Sequence, residues 1–222
     1  MKVLVIIPAF NEAAVIGSVV QKVKNEGFSV LVVDDGSSDQ TSDQAKLAKA
    51  LVVKHTINLG QGAALQTGFA YALQNDYQAV ITFDADDQHE VKDIKRILQP
   101  LLAGQCEVVL GSRFLNSTNK IPVFKKLILK LAVIFTRLTT GLTVTDAHNG
   151  LRALTRSVLQ KIKLEQNGMA HASEIISQIA KLKISYCEVP VTIYYTNYSR
   201  QKGQSIFNSF KILGEIFWQK IN

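Results

Sequence analysis

The sequence predicts an α/β fold, a mostly parallel β-sheet with helices on both faces. Three observations lead to it. Uninterrupted apolar runs such as "VLVII" and "AVIT" read as strands buried on both sides. Stretches with helical apolar spacing lie between them. The two kinds alternate through the first half of the chain, as in successive β-α-β units.

Taken in order, residues 2–8 ("KVLVIIP") form the first strand, and residues 12–27 a helix that stops at Gly27. "FSVLVVDD" (28–35) is a second strand, and "SSDQTSDQAKLAKA" (37–50) a helix opened by capping residues. "LVVKH" (51–55) is a third strand, followed by a glycine-entered helix, "GQGAALQTGFAYAL" (60–73). "AVITFDAD" (79–86) is a fourth strand, "EVKDIKRILQPLL" (90–102) a helix and "CEVVLGSRF" (106–114) a fifth strand. No repeat or low-complexity linker divides the 222 residues, so one domain is expected over 1–222. The start resembles a signal peptide but lacks a small-residue cleavage site and runs into Asn11 and Glu12, so a buried strand is expected there. Cys106 and Cys187 have no metal-ligand spacing and read as free thiols in a reducing, cytoplasmic compartment.

The net charge of +7 is unevenly placed. Residues 108–145 carry six basic residues and 189–214 three, with no acid in either segment. The other 16 basic residues face all 18 acids, so the excess marks two segments and an anionic partner. Aliphatic residues, not aromatic platforms, separate these charges, which points to lipid and away from nucleic acid.

In a parallel sheet ligands bind at the carboxyl ends of the strands. The polar clusters fall there: "PAFNE", "DDGSSD", "NLGQG" and "DADDQ". A dinucleotide fingerprint fails, because Leu65 stands where the third glycine belongs, and a P-loop lysine is absent. The last cluster sets Asp84, Asp86 and Asp87 close together. Two such charges about 4 Å apart repel by about 4 kcal/mol at an effective dielectric of 20. A divalent cation, Mg²⁺ or Mn²⁺, would offset this at Asp84 and Asp86 and bridge to a diphosphate.

Taken together, "PAFNE", "VVDDGSSD", "NLGQGAALQTG", "DADDQH" and "GSR" resemble a family-2 glycosyltransferase of the GT-A (Rossmann-like) fold, nearest the dolichyl- and polyprenyl-phosphate sugar synthases. The resemblance implies a nucleotide-sugar half (1–115) and an acceptor half (116–222). It implies that Pro8, Phe10, Glu12, Asp35 and Asp39 line the base and ribose pocket. Asp84 would lie near ribose and diphosphate, and Asp86 and Gln88 would hold the metal. Gly60 and Gly62 would let backbone approach the ligand. The motifs are common to uridine, guanosine and thymidine donors.

In the acceptor half, 121–138 reads as an amphipathic helix at a membrane surface, with Lys126, Lys130 and Arg137 on one face. No apolar run reaches the 18 or so residues of a membrane span. A second amphipathic stretch is "SIFNSFKILGEIFWQKIN" (205–222). Between them "TDAHNGLRAL" resembles the family's acceptor loop, with Asn149-Gly150-Leu151-Arg152 in place of the usual Ser-Gly-Phe-Arg. Acceptor phosphate would be held by Arg113, Arg200 and Ser205, and by Lys126 where relatives carry an arginine. Some members carry a transmembrane extension; a small integral membrane partner would replace it here.

The expected reaction is an inverting transfer of a hexose to a polyprenyl phosphate, with Asp86 catalytic through the metal. A phosphate acceptor is largely dianionic at pH 7 and needs little base catalysis. A saccharide or protein hydroxyl in envelope polysaccharide synthesis is the alternative acceptor. It would need a base, for which Asp146 is first and His148 second. A non-catalytic envelope-assembly module is the third reading, disfavoured by the intact carboxylate cluster.

Overall fold

The computed structural model describes residues 1–116, 121 and 123–194. Its elements are β1 (Val3–Ala9), α1 (Ile16–Asn25), β2 (Ser29–Asp34), α2 (Thr41–Leu47), β3 (Leu51–Lys54), α3 (Gln61–Gln74) and β4 (Ala79–Thr82). There follow α4 (Asp93–Leu102), β5 (Val108–Ser112), α5 (Val123–Thr140), β6 (Arg152–Thr155), α6 (Arg156–Lys161), α7 (His171–Lys181) and β7 (Tyr186–Pro190). The strands form one sheet in the order β3-β2-β1-β4-β6-β5-β7.

Side chains alternate across each strand. Val5 and Ile7 of β1 pack into one core with Ile16 and Val19 of α1 and Ile94 and Ile97 of α4. Leu4 and Ile6 point the other way, into a core with Phe69 of α3, Val133 of α5 and Ile176 of α7. Helices therefore cover both faces, as the continuous apolar strands require.

The chain winds outward from β1 to β2 and β3, then returns to place β4 on the other side of β1. A crevice opens at such a reversal, at the carboxyl ends of β1 and β4. β6 then runs antiparallel between β4 and β5, with Arg152 opposite both Thr82 and Leu110. An antiparallel strand begins where its neighbours end. The segment before β6, residues 144–151, is thereby delivered into the crevice.

Several boundaries differ from the sequence reading. α1 starts at Ile16, because Glu12 O first accepts from Val15 N and Ile16 N in a separate turn. β4 stops at Thr82, so the carboxylates sit in the loop beyond it. α5 runs over Val123–Thr140, two residues later than expected. β6, α6, α7 and β7 had no sequence forecast: their apolar runs are short and their pairing is with distant strands. The stretch 205–222 lies outside the described residues.

Close packing of α3 on β1 needs Gly68: a Cβ there would lie 2.5 Å from Ile6 Cγ2. Alanine would regain about 1 kcal/mol of helix propensity, so valine is the cleaner probe. Gly68→Val is expected to destabilise the fold by about 2–3 kcal/mol through overpacking, measured by urea unfolding. Ile6→Ala in the same chain should recover part of that loss.

Candidate active site

The three carboxylates after β4 are handled separately. His89 Nε2 donates to Asp84 Oδ2 at 2.9 Å, and Gln61 Nε2 to Oδ1 at 3.3 Å. Asp86 accepts from Gln88 N at 3.1 Å and from Gln88 Nε2 at 2.7 Å. Asp87 takes a left-handed φ of 58° and turns away, to pair with Lys22 of α1 at 2.7 Å. Asp84 and Asp86 remain, near enough for the charge of Asp84 to act on Asp86.

Burial raises the Asp84 carboxyl, but the hydrogen bond and charge of His89, with His171 and Arg113, outweigh it and hold the group below its ordinary range. Asp86 goes the other way. Burial first, then the charge of Asp84, push it up to about 6, with Glu12 adding to the rise. The pair stores repulsion that a cation would relieve. His89 is sealed beneath it, its ring 5.4 Å from that of Phe83 and its Nδ1 buried without a partner.

The β1 and β2 ends are laced together. Asn11 N donates to Ser37 Oγ at 2.9 Å, Glu12 N to Thr41 Oγ1 at 2.8 Å and Ala13 N to Asp39 Oδ2 at 3.1 Å. Phe10 is 44% exposed at the lip, while Pro8 lies within the sheet opposite Val33. Asp35 makes hydrogen bonds within the protein. Its carboxylate accepts from Leu59 N at 2.9 Å, Gly60 N at 2.7 Å and His55 Nδ1 at 2.7 Å, fixing the entry to α3. Gly60 and Gly62 are also explained within the chain. A Cβ at Gly62 would stand 2.0 Å from Gln166 O, and Gly62 N donates to Asn167 O at 2.7 Å. The close approach is that of the chain's own 166–168 loop.

Of the residues expected to hold acceptor phosphate, Arg113 meets the 144–151 segment. Arg113 Nε donates to Asp146 Oδ2 at 2.6 Å, Arg113 N to the same oxygen at 3.1 Å, and Nη2 to His148 O at 2.9 Å. The Asp146 side chain is 1% exposed. Asp146 therefore anchors Arg113. Burial, then the Arg152 charge, push His148 down to about 4. Glu188 of β7 accepts from Thr145 N at 2.9 Å and Asp146 N at 3.2 Å, holding this backbone. Lys126 stands on the exposed face of α5. Arg200 and Ser205 lie outside the described residues.

His89, His171 and Glu188 were given no role by the sequence reading, and Gly150 and Arg152 were named only as part of the acceptor-loop resemblance. His89 was visible as the end of a quoted motif; His171 and Glu188 had no local signal.

Among the described residues no cluster of three or more His, Cys, Asp or Glu is disposed to cage a metal. Two coupled carboxylates, one with a raised pKa, do fit Mg²⁺ or Mn²⁺, which take one or two carboxylates and complete their shell with water and substrate phosphate.

The architecture is that of the GT-A glycosyltransferases. Glucosyl-3-phosphoglycerate synthase of Mycobacterium tuberculosis, solved with Mn²⁺ and UDP-glucose, matches 97% of this chain and 76% of its own, with a TM-score of 0.76 and 19% identity. Residues 4–163 match the Glycosyl transferase family 2 profile. The chain belongs to that family and is a glycosyltransferase. It is 33% identical to the UDP-N-acetylglucosamine–dolichyl-phosphate N-acetylglucosaminyltransferase of Methanococcus voltae, over 99% of this chain and 96% of the relative. It is 32% identical to the polyprenol monophosphomannose synthase of Mycolicibacterium smegmatis, over 86% of this chain and 77% of the relative.

The raised Asp86 carboxyl gives a pH signature without metal. The folded state holds this proton more tightly than the unfolded chain, so its ionisation destabilises the fold above about pH 6. Asp86→Asn should be more stable than the parent near neutral pH in EDTA. That advantage should shrink as pH falls through about 6 towards about 4, followed by thermal unfolding.

Proposed function

We propose that the chain transfers a hexose from a nucleotide-sugar to a polyprenyl phosphate, with inversion and a divalent cation, at the cytoplasmic face of a membrane. The observation that carries the lipid acceptor is the outer face of α5. Val123, Leu127, Leu131, Ile134 and Leu138 recur at offsets of 4, 4, 3 and 4, and each is more than half exposed. Lys126, Lys130 and Arg137, also exposed, border that stripe. An apolar stripe with a cationic border suits a helix lying in an anionic lipid surface. Among the described residues no helix is long and apolar enough to cross a membrane.

In this reading Asp84, Asp86 and Gln88 hold Mg²⁺ or Mn²⁺ against the donor. The ion supplies charge stabilisation to the departing diphosphate. Phe10, Glu12 and Asp39 sit at the strand ends where base and ribose would lie. Arg113, locked by Asp146, presents a fixed cation to phosphate. The acceptor phosphate attacks the anomeric carbon from the side opposite the leaving group. Asp146 is tied to Arg113 and His148 is pushed down to about 4. That favours a phosphate, which is its own nucleophile, over a hydroxyl acceptor. Arg200 and Ser205 complete the proposed acceptor grip, and a small integral membrane protein would be a further partner. The relatives named for dolichyl- and polyprenyl-phosphate transfer support the same acceptor class.

Transfer to a polyprenyl phosphate, assayed against transfer to a free sugar hydroxyl, tests the acceptor. A product only with the hydroxyl would replace this reading by the soluble-acceptor one. Asp86→Asn should abolish transfer while nucleotide binding without metal partly survives; undiminished turnover would remove Asp86 from the site. Removing both Lys126 and Lys130 should weaken binding to anionic vesicles by about 30-fold, at about 1 kcal/mol per charge. Sedimentation at low salt measures it, and equal binding of the parent to neutral vesicles would contradict the electrostatic part.

A further inference from the structure

Gly150 lies against the Asp84 carboxylate. A Cβ at this position would stand 2.3 Å from Asp84 Oδ2, 2.4 Å from Oδ1 and 2.6 Å from Cγ. Its φ is not among the positive ones, so backbone conformation does not call for glycine here. Space does, and the space is filled by a carboxylate.

The backbone around Gly150 is held on every side. Thr82 Oγ1 donates to Gly150 O at 2.5 Å, and Leu151 N to Asn149 Oδ1 at 2.9 Å. Arg152, 3% exposed, donates through Nε to Asn149 O at 3.0 Å. Its Nη2 reaches Ala147 O at 3.1 Å and Ala172 O of α7 at 3.3 Å. The 147–150 backbone is thus stapled to β6 and α7 by one buried guanidinium. Asp84, its side chain 30% exposed, is bounded by this wall, by His89 on Oδ2 and by Gln61 on Oδ1.

We propose that Gly150 is a positioning residue: the acceptor-side loop, stapled by Arg152, forms the wall that sets where the donor-side Asp84 carboxylate sits. The inference rests on the donor-site reading of Asp84 given above. It makes the acceptor half part of the donor site. A methyl group at position 150 must push the carboxylate off His89 or displace a loop tied down by four hydrogen bonds, and the carboxylate is the softer of the two.

The test uses the full chain. Gly150→Ala is compared with the parent, with Asp84→Ala and with the double variant. In the metal-free protein the His89 imidazole ¹⁵N signals should change in Gly150→Ala as they do in Asp84→Ala. Mn²⁺, titrated with UDP and again with GDP, should bind at least about tenfold more weakly, the scale found when a group orienting a ligand is altered. Stability should couple: Gly150→Ala destabilises the parent but is close to neutral when Asp84 is already alanine. This cycle decides even if the single variant folds poorly. Unchanged imidazole signals and Mn²⁺ affinity in a folded Gly150→Ala, or additive stabilities, would overturn the proposal. Mn²⁺ binding that survives Asp84→Ala would overturn the donor-site reading itself, while the imidazole signals and the stability cycle still judge Gly150.

Discussion

Two electrostatically coupled carboxylates just beyond the end of a buried strand are the constraint around which this protein is arranged. Side by side at about 4 Å they would repel by about 4 kcal/mol at an effective dielectric of 20. The loop after β4 answers in two ways. His89 and Gln61 lower the energy of charge on Asp84, while Gln88 holds Asp86 with two N–H donors. The third carboxylate, Asp87, is removed to Lys22. What remains is one ionised group and one poised near 6, a pair stable enough to fold and still short of a full positive charge.

That pair would be an open patch at a strand end were it not for β6. Because β6 runs against its neighbours, its leading segment arrives at the carboxyl ends of β4 and β5. Arg113 and Asp146, 33 residues apart, meet there as a buried ion pair. Replacing either partner alone would strand the other charge in the interior, which is the expensive way to break such a pair. Glu188 and Arg152 grip the same segment from β7 and from β6 itself. Segments far apart in the chain therefore meet at the carboxyl ends of β4 and β5.

α5 poses a different physical problem. One side carries Ala132, Val133 and Thr136, buried and packed towards α7. The opposite side is also apolar yet exposed. Single exposed leucines need no explanation, but a continuous apolar stripe bordered by cations does. The long lysine stems can cover part of the stripe in water and lift their charges to the border when it is buried.

The strand-by-strand alternation, and with it the parallel sheet and the polar strand ends, was legible in the sequence, because period and punctuation are local properties of the chain. The Asp84–Asp86 pair was legible for the same reason: the strand ends and the carboxylates follow within a few residues. Charge segregation and the amphipathic pattern of α5 could be read as well, since a helical face depends on spacing alone. What Asp35, Gly60, Asp146 and Gly150 touch could not be read, because each meets a partner brought from elsewhere in the chain. Asp35 serves the turn into α3, Gly60 and Gly62 admit the 166–168 loop, and Asp146 serves Arg113. The roles of Asp146 and Gly150 were decided when β6 entered antiparallel between β4 and β5. Strand order and direction are set by the packing energy of the whole sheet, and no short stretch of sequence carries that energy.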